Sequence, residues 1–384
     1  MKKVSSILLA ITFSLCLQAQ PAIYPSHWFV GFKRAELNLV VQDPSIGKYT
    51  KASVSYPGVT VSRVRKAESS NYLFIDLRIA STTKAGTFNI VLTAPGLPAR
   101  QINYVLKPRS KQNGLSRIQG VQARDFIYLI MTDRFANGDP SNDIVAGYRD
   151  TLCDRTDKFS RHGGDFKGVA DRMNYLRELG VSTVWLTPVN ENDMPRMTEW
   201  GNQVAGYHGY WFTDHYQVDK RFGGNAGYRQ LSDNLHQNGM KLIQDAVYNH
   251  IGSYHWIALD PPTKDWLNSS QGKNPPHHRE EVFYDPYASQ QDKRQMLDGW
   301  FVPHLPDLNQ RNADVANYLI QYHLWATEEY GVDGWRVDTY KYNEEKFLND
   351  MNDALTREFP KLTIFGESWV TSTIANAYFT RNNM

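Results

Sequence analysis

The stretch GWRVDTYKY at residues 334–342 decides the fold, and FGESW at residues 365–369 repeats its pattern. In each stretch one acidic side chain, Asp338 or Glu367, follows a short apolar run of the kind that favours a β-strand. A segment with helical periodicity precedes each run. Because strands that alternate with helices form a parallel sheet, the carboxyl ends of the two strands should meet at one edge. The two carboxylates are therefore predicted to lie close together.

The same alternation extends upstream through residues 125–384. The predicted strands are 126–135, 181–189, 240–250, 332–339 and 362–369, and the predicted helices are 171–179, 227–238, 313–330 and 344–358. Polar residues follow each strand at its carboxyl end, where the active sites of (β/α)₈ barrels lie. A closed barrel needs eight such units and about five are present, so we expect a partial (β/α)₈ TIM barrel, C-terminally incomplete in a longer protein. A naturally shorter fold is the alternative, and it would expose a sheet edge.

Residues 21–108 have a different pattern. Short β-prone runs, several with alternating apolar and polar residues, are separated by clusters of Gly, Pro and Ser. The runs are 35–42, 51–56, 60–64, 72–79, 87–94 and 102–107. This spacing is typical of an all-β, immunoglobulin-like sandwich. Residues 109–124 read as a linker, so the chain is predicted to be multidomain, with the sandwich before the barrel.

The first 20 residues have the pattern of a signal peptide. A basic start precedes an apolar stretch at 4–17 and a small-residue cleavage pattern at 17–19, which predicts a secreted or periplasmic protein. Cys16 leaves a lipoprotein anchor open as the alternative. If Cys16 leaves with the signal, Cys153 has no disulfide partner. No later segment is apolar enough for stable membrane insertion.

The charge balance excludes two classes of partner. The chain has 42 Lys and Arg against 40 Asp and Glu, a net charge of +2, which gives no reason to expect a nucleic acid or an anionic membrane. Aromatic residues make up 13% of the chain. Aromatic rings stack on the apolar faces of sugars, although large cores also use them.

Four motifs occur in a fixed order: DAVYNH at 245–250, LPDLN at 305–309, GWRVDTYKY at 334–342 and FGESW at 365–369. With them, the chain resembles the α-amylase family of glycoside hydrolases (family 13). Within that family it is most similar to the neopullulanase and cyclomaltodextrinase group, whose members carry an extra N-terminal β-sandwich resembling carbohydrate-binding modules. Four motifs on the expected strand ends are far more specific than one.

The resemblance implies roles for three charged residues. Asp338 would be the nucleophile that forms a covalent glycosyl–enzyme, and Glu367 the general acid and then the general base. Retention of configuration needs the two carboxyl groups about 5 Å apart. We expect Arg336, two residues before Asp338 on the same strand face, to keep Asp338 ionised, while Glu367 has a raised pKa. The alternative is a buried Arg–Asp pair without chemistry.

The resemblance also implies substrate-binding residues on three motifs, which are Tyr210 and His208, Asp245 and His250, and Lys341 and Tyr342. Tyr210 would stack beneath the sugar at the cleavage subsite and His250 would bind a hydroxyl there, while Asp245 supports the active-site Arg. For His208 the alternative is simple packing. For Lys341 and Tyr342, which would line the acceptor side of the cleft, the alternative is a solvated face.

A second group of residues suits a metal ion. ANGDPSND at 136–143 places several oxygen donors on a short loop, and dense hard donors of this kind favour Ca²⁺. The resemblance adds GGD at 163–165. The predicted structural Ca²⁺ site consists of Asn137, Asp139, Asn142, Asp143, the Gly163 carbonyl and Asp165. The alternative is an Asx-rich turn that hydrogen-bonds its own backbone.

The resemblance thus implies a retaining hydrolase of α-1,4-glucosidic bonds, and also of α-1,6 bonds in some members, in starch-derived oligosaccharides, pullulan or cyclodextrins. In such relatives the N-terminal domain often forms a homodimer. The family's last motif, an Asn-His-Asp that supplies a third essential Asp, does not occur in these 384 residues. A non-catalytic α-glucan-binding protein, or an inactive fragment, therefore remains the alternative.

Overall fold

The computed structural model describes residues 20–268 and 275–384, so the predicted signal peptide lies outside the described residues except for Gln20. In these two ranges no helix has the length and apolar character of a membrane span. Cys153 is a free cysteine.

The N-terminal region is a sandwich of two four-stranded sheets. Its strands are β1 (Ala22–Tyr24), β2 (Trp28–Val30), β3 (Glu36–Gln42), β4 (Lys51–Val54), β5 (Val59–Lys66), β6 (Tyr72–Ile79), β7 (Gly86–Thr93) and β8 (Arg100–Pro108). The sheets have the orders β1-β3-β6-β5 and β2-β8-β7-β4. Alternate residues of β7, such as Phe88, Ile90 and Leu92, are buried between the sheets, as a half-buried strand requires. This part of the predicted fold class is confirmed.

Strands β1 and β2 were not predicted. Each has three residues, too few to show an alternating pattern. Tertiary pairing forms them: Tyr24 lies opposite Val40 of β3, and Trp28 lies opposite Leu106 of β8.

The C-terminal region contains a parallel sheet of five strands and, beside it, four short strands in loops. In chain order these strands are β9 (Ile127–Ile130), β10 (Thr183–Leu186), β11 (Asn190–Glu191), β12 (Met197–Glu199), β13 (Asn202–Val204), β14 (Asp214–Val218), β15 (Lys241–Ala246), β16 (Gly334–Val337) and β17 (Thr363–Gly366). The parallel sheet has the order β17-β16-β15-β10-β9, which is strict sequence order. Every residue of β15 and β16 is buried, as central strands covered on both faces should be. The prediction of a partial (β/α)₈ barrel is confirmed.

Helices occupy the connections between the sheet strands. The α-helices are α1 (Thr132–Phe135), α2 (Phe166–Asp171), α3 (Met173–Glu178), α4 (Gly224–Gln237), α5 (Trp256–Leu259), α6 (Gln290–Asp298), α7 (Ala313–Tyr330), α8 (Glu345–Glu358) and α9 (Thr373–Tyr378). Helix α7 has the predicted bounds, and α8 starts one residue later than predicted.

Several predicted bounds in this region were wrong: the strands predicted at 181–189 and 240–250 are shorter, and the helix predicted at 227–238 begins at Gly224. The strand predicted at 126–135 ends at Ile130, because the residues after Met131 turn into α1. The helix predicted at 171–179 is two helices that meet at Arg172, whose φ of −104° departs from helical geometry. Leu179, the last residue of the predicted helix, lies past the end of α3 and is 43% exposed.

The sandwich is fastened to the barrel strands through α7. Asn38 and Gln321 exchange two hydrogen bonds of 2.7 and 2.8 Å. Arg65 binds both carboxylate oxygens of Asp314 at 2.7 Å. Near the end of α7 the buried carboxylate of Glu329 binds His27 at 3.0 Å and Lys107 at 3.1 Å. These contacts join both sheets of the sandwich to the helix that leads into β16.

We predict that Glu329→Gln lowers the free energy of unfolding by about 2 kcal/mol, because it removes the charge that binds His27, Lys107 and Arg229. The matched control is Glu36→Gln, whose exposed carboxylate lies 3.8 Å from Arg78 and should cost less than about 0.5 kcal/mol. Urea denaturation measures both. Equal, small losses in the two variants would contradict the prediction.

The pH dependence of stability provides a second measurement on the same variants. Burial opposes ionisation of Glu329, but His27, Lys107 and Arg229 lower its pKa to about 2, against about 4.3 in an unfolded chain. The folded state therefore binds fewer protons, so this contribution is present above about pH 4.3 and is lost as the pH falls towards 2. Glu329→Gln should remove that part of the acid sensitivity.

Candidate active site

The strand register brings the predicted catalytic residues together. Asp245 of β15 lies opposite Arg336 of β16. Val337 lies opposite Gly366 of β17, so Asp338 and Glu367 leave the sheet side by side. Their amides continue the ladder, since the Asp338 N–H donates to Ala246 and the Glu367 N–H donates to Val337. Neighbouring strands lie about 4.8 Å apart, which suits the predicted separation of the two carboxyl groups.

The guanidinium of Arg336 joins the three carboxylates. Its Nη1 donates to Asp245 Oδ1 at 2.6 Å and to Asp338 Oδ1 at 2.8 Å. Its Nη2 lies 2.9 Å from Glu367 Oε1. The planar guanidinium thus fixes the two predicted catalytic groups relative to each other and to Asp245.

The protonation of Asp338 differs from our expectation. Burial, and after it the charge of Asp245, raises the pKa of Asp338 to about 7, with Arg336 opposing and Glu367 adding to the rise. Burial also raises the pKa of Asp245 to about 6. One cation does not offset burial together with two neighbouring carboxylates. Near neutral pH, Asp338 is therefore poised between its two protonation states.

Two further side chains hold Asp245 in place. The Trp185 Nε1–H donates to Asp245 Oδ2 at 3.0 Å, and the Tyr210 hydroxyl donates to the same oxygen at 3.1 Å. The Arg336 guanidinium carbon also lies 5.5 Å from the centre of the Trp185 ring. The structure therefore places the Tyr210 hydroxyl on Asp245, and its stacking beneath a sugar stays a prediction. Trp185 was missed, and the available signal was its indole N–H near the carboxyl end of an otherwise apolar strand.

The residue after Asp338 has an unusual backbone conformation. Thr339 has a φ of +48°, in the left-handed region that β-branched residues rarely occupy. Its N–H donates to Glu367 Oε2 at 3.0 Å, and its carbonyl accepts from Asn343 at 3.0 Å. Such strain persists only where the surroundings hold it, and it concentrates at functional sites. Here it aims a backbone donor at Glu367.

Gly366 has a steric role beside the same turn. A Cβ on Gly366 would lie 2.4 Å from ring carbons of Tyr340. Tyr340 belongs to the turn after Asp338, and its N–H donates to the Glu367 carbonyl at 3.1 Å. Only glycine allows this turn to pack directly against the end of β17.

The two predicted histidines lie in the same region. His208 packs against Tyr210 with ring centroids 5.6 Å apart, and its Nδ1 accepts from the Tyr210 N–H at 3.1 Å. Burial lowers the pKa of His208 to about 3 and of His250 to about 4. Neither His250 ring nitrogen makes a hydrogen bond of normal geometry, although the Tyr210 backbone lies close enough to affect its pKa. His250 is therefore a neutral ring with free polar atoms, whereas His208 has at least a packing role.

Lys341 and Tyr342 are 2% and 5% exposed, so the alternative of a solvated face is wrong for both. The Lys341 ammonium meets the His278 carbonyl at 3.2 Å, Glu280 Oε2 at 3.3 Å and the Trp369 carbonyl at 2.9 Å. These partners use all three ammonium hydrogens. The predicted substrate contact therefore finds no free donor on Lys341. The Tyr342 hydroxyl is likewise engaged, with His278 Nδ1 at 2.5 Å.

Part of the predicted calcium loop comes together. Asn137 Nδ2 donates to Asp143 Oδ1 at 2.7 Å. Gly163, with a φ of +76°, lies so close that a Cβ there would be 2.4 Å from Asp143 Oδ1. The side-chain oxygens of Asn137 and Asn142 are buried without a hydrogen-bond donor. Buried acceptors without donors beside a carboxylate are the donor set that fits a hard cation.

The other two predicted ligands have local partners. The Asp165 carboxylate accepts from the N–H groups of Gly138, Asp139 and Gly168, and so caps α2. Asp139 Oδ1 accepts from the Ser141 N–H and hydroxyl. The Asx-turn alternative therefore describes these two residues. Within the described residues, no three His, Cys, Asp or Glu side chains group as a metal site, so amide and carbonyl oxygens would have to contribute.

Comparisons with known proteins identify the families that the two regions match. Residues 129–384 match the α-amylase catalytic domain, and residues 22–110 match the N-terminal domain of cyclomaltodextrinases. A β/α-amylase from Paenibacillus polymyxa is 33% identical over 60% of this chain and 18% of its own length. Neopullulanase 2 from Thermoactinomyces vulgaris is 32% identical over 63% of this chain and 38% of its own length.

Solved structures are similar over the same region. An Anoxybacillus α-amylase is 32% identical with a TM-score of 0.56, covering 68% of this chain and 50% of its own. The α-amylase from Geobacillus thermoleovorans, complexed with acarbose, is 32% identical with a TM-score of 0.54 over 68% and 50% of the two chains. The chain thus spans about half of these solved structures and less than half of the curated relatives above. With the catalytic-domain match extending over residues 129–384, the chain belongs to the α-amylase family.

Proposed function

We propose that the protein is a retaining glycoside hydrolase that cleaves α-1,4-glucosidic bonds in starch-derived oligosaccharides, pullulan or cyclodextrins. The observation that carries this proposal is the Arg336 guanidinium bound to both Asp338 and Glu367 at adjacent strand ends. Membership of the α-amylase family, with relatives named neopullulanase and cyclomaltodextrinase, supports the substrate class.

In the first step an ionised Asp338 attacks the anomeric carbon while a protonated Glu367 donates its proton to the departing glycosidic oxygen. The bond from carbon to the leaving oxygen breaks as the bond to Asp338 forms. Arg336 fits this step, because it holds both carboxyl groups in one orientation at the start of the reaction.

In the second step Glu367, now ionised, accepts a proton from water, whose oxygen displaces Asp338 and releases a product of retained configuration. A sugar hydroxyl in place of water would give transglycosylation. The Thr339 N–H, 3.0 Å from Glu367 Oε2, helps to fix the orientation of this carboxyl group.

The substrate contacts proposed for the cleavage subsite are Tyr210 and His250. Tyr210 is half-buried with its hydroxyl fixed on Asp245, which leaves its ring as the surface for stacking. His250 supplies neutral ring nitrogens that are not committed to well-formed protein hydrogen bonds. A hydroxyl-rich ligand would satisfy these otherwise unpaired polar atoms.

We also propose a structural Ca²⁺ held by Asn137, Asn142, Asp143 and the Gly163 carbonyl, which when bound would tie down the loop after α1. The buried Asn oxygens without donors support it. Export from the cytoplasm, predicted from residues 1–20, and the homodimer implied by the resemblance stay predictions.

The activity is tested in protein expressed from the complete gene, with maltooligosaccharides as substrate. Asp338→Asn should lower kcat by about 10³-fold or more, because it removes the nucleophile. Glu367→Gln should lower kcat by about 10²–10⁴-fold, because it removes the proton donor. Asp350→Asn, which changes an exposed carboxylate on α8, is the matched control and should leave kcat unchanged.

Retained turnover in both Asp338→Asn and Glu367→Gln would contradict the proposed mechanism. Titration calorimetry with maltoheptaose identifies the alternative. Binding without turnover in the unaltered protein would favour a non-catalytic α-glucan-binding protein.

The acidic limb of kcat/KM should follow the ionisation of Asp338. Burial and the charge of Asp245 raise the pKa of Asp338 to about 7. Activity should therefore increase as the pH rises through this value. Asp245→Asn removes the neighbouring charge, so the limb should move to lower pH even as kcat falls. Trp185→Phe removes a neutral hydrogen bond to Asp245 and should not move the limb in that direction. A limb that stays in place in Asp245→Asn would contradict this assignment.

Calcium binding is measured by calorimetry and by thermal unfolding. Ca²⁺ at 100 times its Kd should stabilise the folded protein by about 2.7 kcal/mol. Asp143→Asn should abolish this stabilisation because it removes the half-buried carboxylate of the loop. Asp139→Asn changes an exposed carboxylate occupied by Ser141 and should have the smaller effect. Unchanged calcium affinity in Asp143→Asn would overturn the proposed ligand set.

A further inference from the structure

A buried carboxylate outside the three that Arg336 binds contacts the segment that follows Glu367. Glu280 is 1% exposed. Its Oε1 accepts from the Thr371 N–H at 2.9 Å and from the Thr371 hydroxyl at 2.8 Å. Its Oε2 lies 3.3 Å from the ammonium of Lys341. Glu280 therefore binds two segments that flank the active site.

Lys341 completes the connection. Besides Glu280, its ammonium donates to the carbonyl of Trp369 at 2.9 Å and to the carbonyl of His278 at 3.2 Å. We call this group, consisting of Glu280, Lys341 and Thr371 with the Trp369 carbonyl, the brace. It joins the loop before α6, the turn after Asp338 and the residues after Glu367.

Burying such a pair is costly unless its hydrogen-bonding capacity is filled. Two charges taken out of water lose several kcal/mol of hydration each, roughly, and replacing a buried pair with apolar residues is often neutral or stabilising. In the brace each charged group has additional polar partners, so the pair is satisfied. Those donors lower the pKa of Glu280 to about 2 despite its burial. A specific positional role accounts for the pair better than stability does.

Beyond Glu367, the segment that the brace holds has weaker contacts elsewhere: Ser368 Oγ donates to Asn376 Oδ1 at 3.2 Å, and Val370 is only partly buried against the core. Strand β17 ends at Gly366, so the sheet ladder does not extend beyond the Glu367 amide. Trp369 has a φ of +46°, which is unfavourable for a bulky residue. Its side chain is 76% exposed, so packing does not hold this conformation. This conformation is held instead by the contacts of Lys341 with the Trp369 carbonyl and of Glu280 with the Thr371 N–H.

We propose that Glu280 is a positioning residue for Glu367, which acts through Lys341 and Thr371 on the segment 367–371. It touches neither Asp338 nor Arg336 and is not a catalytic residue. This inference rests on the proposed function, because it assigns the brace to the group that transfers the proton.

Two substrates distinguish positioning from general support of the fold. Cleavage of maltoheptaose needs protonation of a poor leaving group, whereas an aryl α-maltoside with an acidic phenol leaves with little help from the acid. If Glu280 positions Glu367, then Glu280→Ala should lower kcat/KM by about tenfold or more for maltoheptaose but by less than about threefold for 4-nitrophenyl α-maltoside. Glu280→Gln, whose remaining oxygen can still accept from Thr371, should recover part of the loss.

Glu281→Ala is the matched control, because Glu281 is the exposed neighbour of Glu280 and should behave like the unaltered protein with both substrates. Thr371→Val removes one hydrogen bond of the brace and provides a milder variant should Glu280→Ala fail to fold. It should show the same unequal loss at smaller size. Thermal unfolding of every variant accompanies the kinetics.

Equal losses on the two substrates, or no loss in either brace variant, would overturn the inference. The Glu367→Gln variant separates this result from failure of the proposed function. If Glu367→Gln shows the unequal loss and the brace variants do not, only the inference fails. If the unaltered protein turns over neither substrate, the proposed function fails with it.

Discussion

The site depends on one cation shared by three carboxylates. Arg336 bonds Asp245, Asp338 and Glu367 at distances from 2.6 to 2.9 Å. Its single charge cannot neutralise three ionised groups, and burial strengthens the repulsion among them. Burial, and after it the charge of Asp245, raises the pKa of Asp338 to about 7 although Arg336 opposes the rise. The other features of the site serve to hold this crowded arrangement together.

The rest of the fold fixes the strands that carry the cluster. Strand β16 begins just after Asp333, a fully buried carboxylate that binds the Gln119 N–H, His236 and the Leu242 N–H at 2.6, 2.7 and 2.8 Å. These partners belong to the segment after the sandwich, to α4 and to β15. The predicted linker is therefore packed against the barrel strands, and the sandwich, which is anchored on α7, adds to the same restraint. Contacts with the linker segment, α4, β15 and α7 thus stabilise the strand register that brings Asp338 beside Glu367.

The sequence alone was sufficient to predict features for which a residue type at a given position has a single structural consequence. Buried parallel strands appear in a sequence as apolar runs, and the polar residues at their carboxyl ends meet at one edge of the sheet. The positions of Asp245, Asp338 and Glu367 could be predicted in this way, and their roles from the family resemblance. Trp185 was missed because a tryptophan in an apolar strand resembles a core residue. Lys341 was predicted at the cleft, but its burial and its ion pair with Glu280 were not, because they depend on a partner distant in the sequence. The positive φ of Thr339 could not be predicted from the sequence, since threonine rarely adopts this backbone conformation.

The expectation of an ionised Asp338 and a protonated Glu367 can be reconciled with the raised pKa of Asp338. The charge of Glu367 is one cause of that rise. Without this charge the pKa of Asp338 would lie lower, so a proton on Glu367 favours the ionised form of Asp338. Under the proposed mechanism, cleavage starts with the proton on Glu367 and the charge on Asp338, so the same arrangement that supplies the proton also favours the ionised nucleophile.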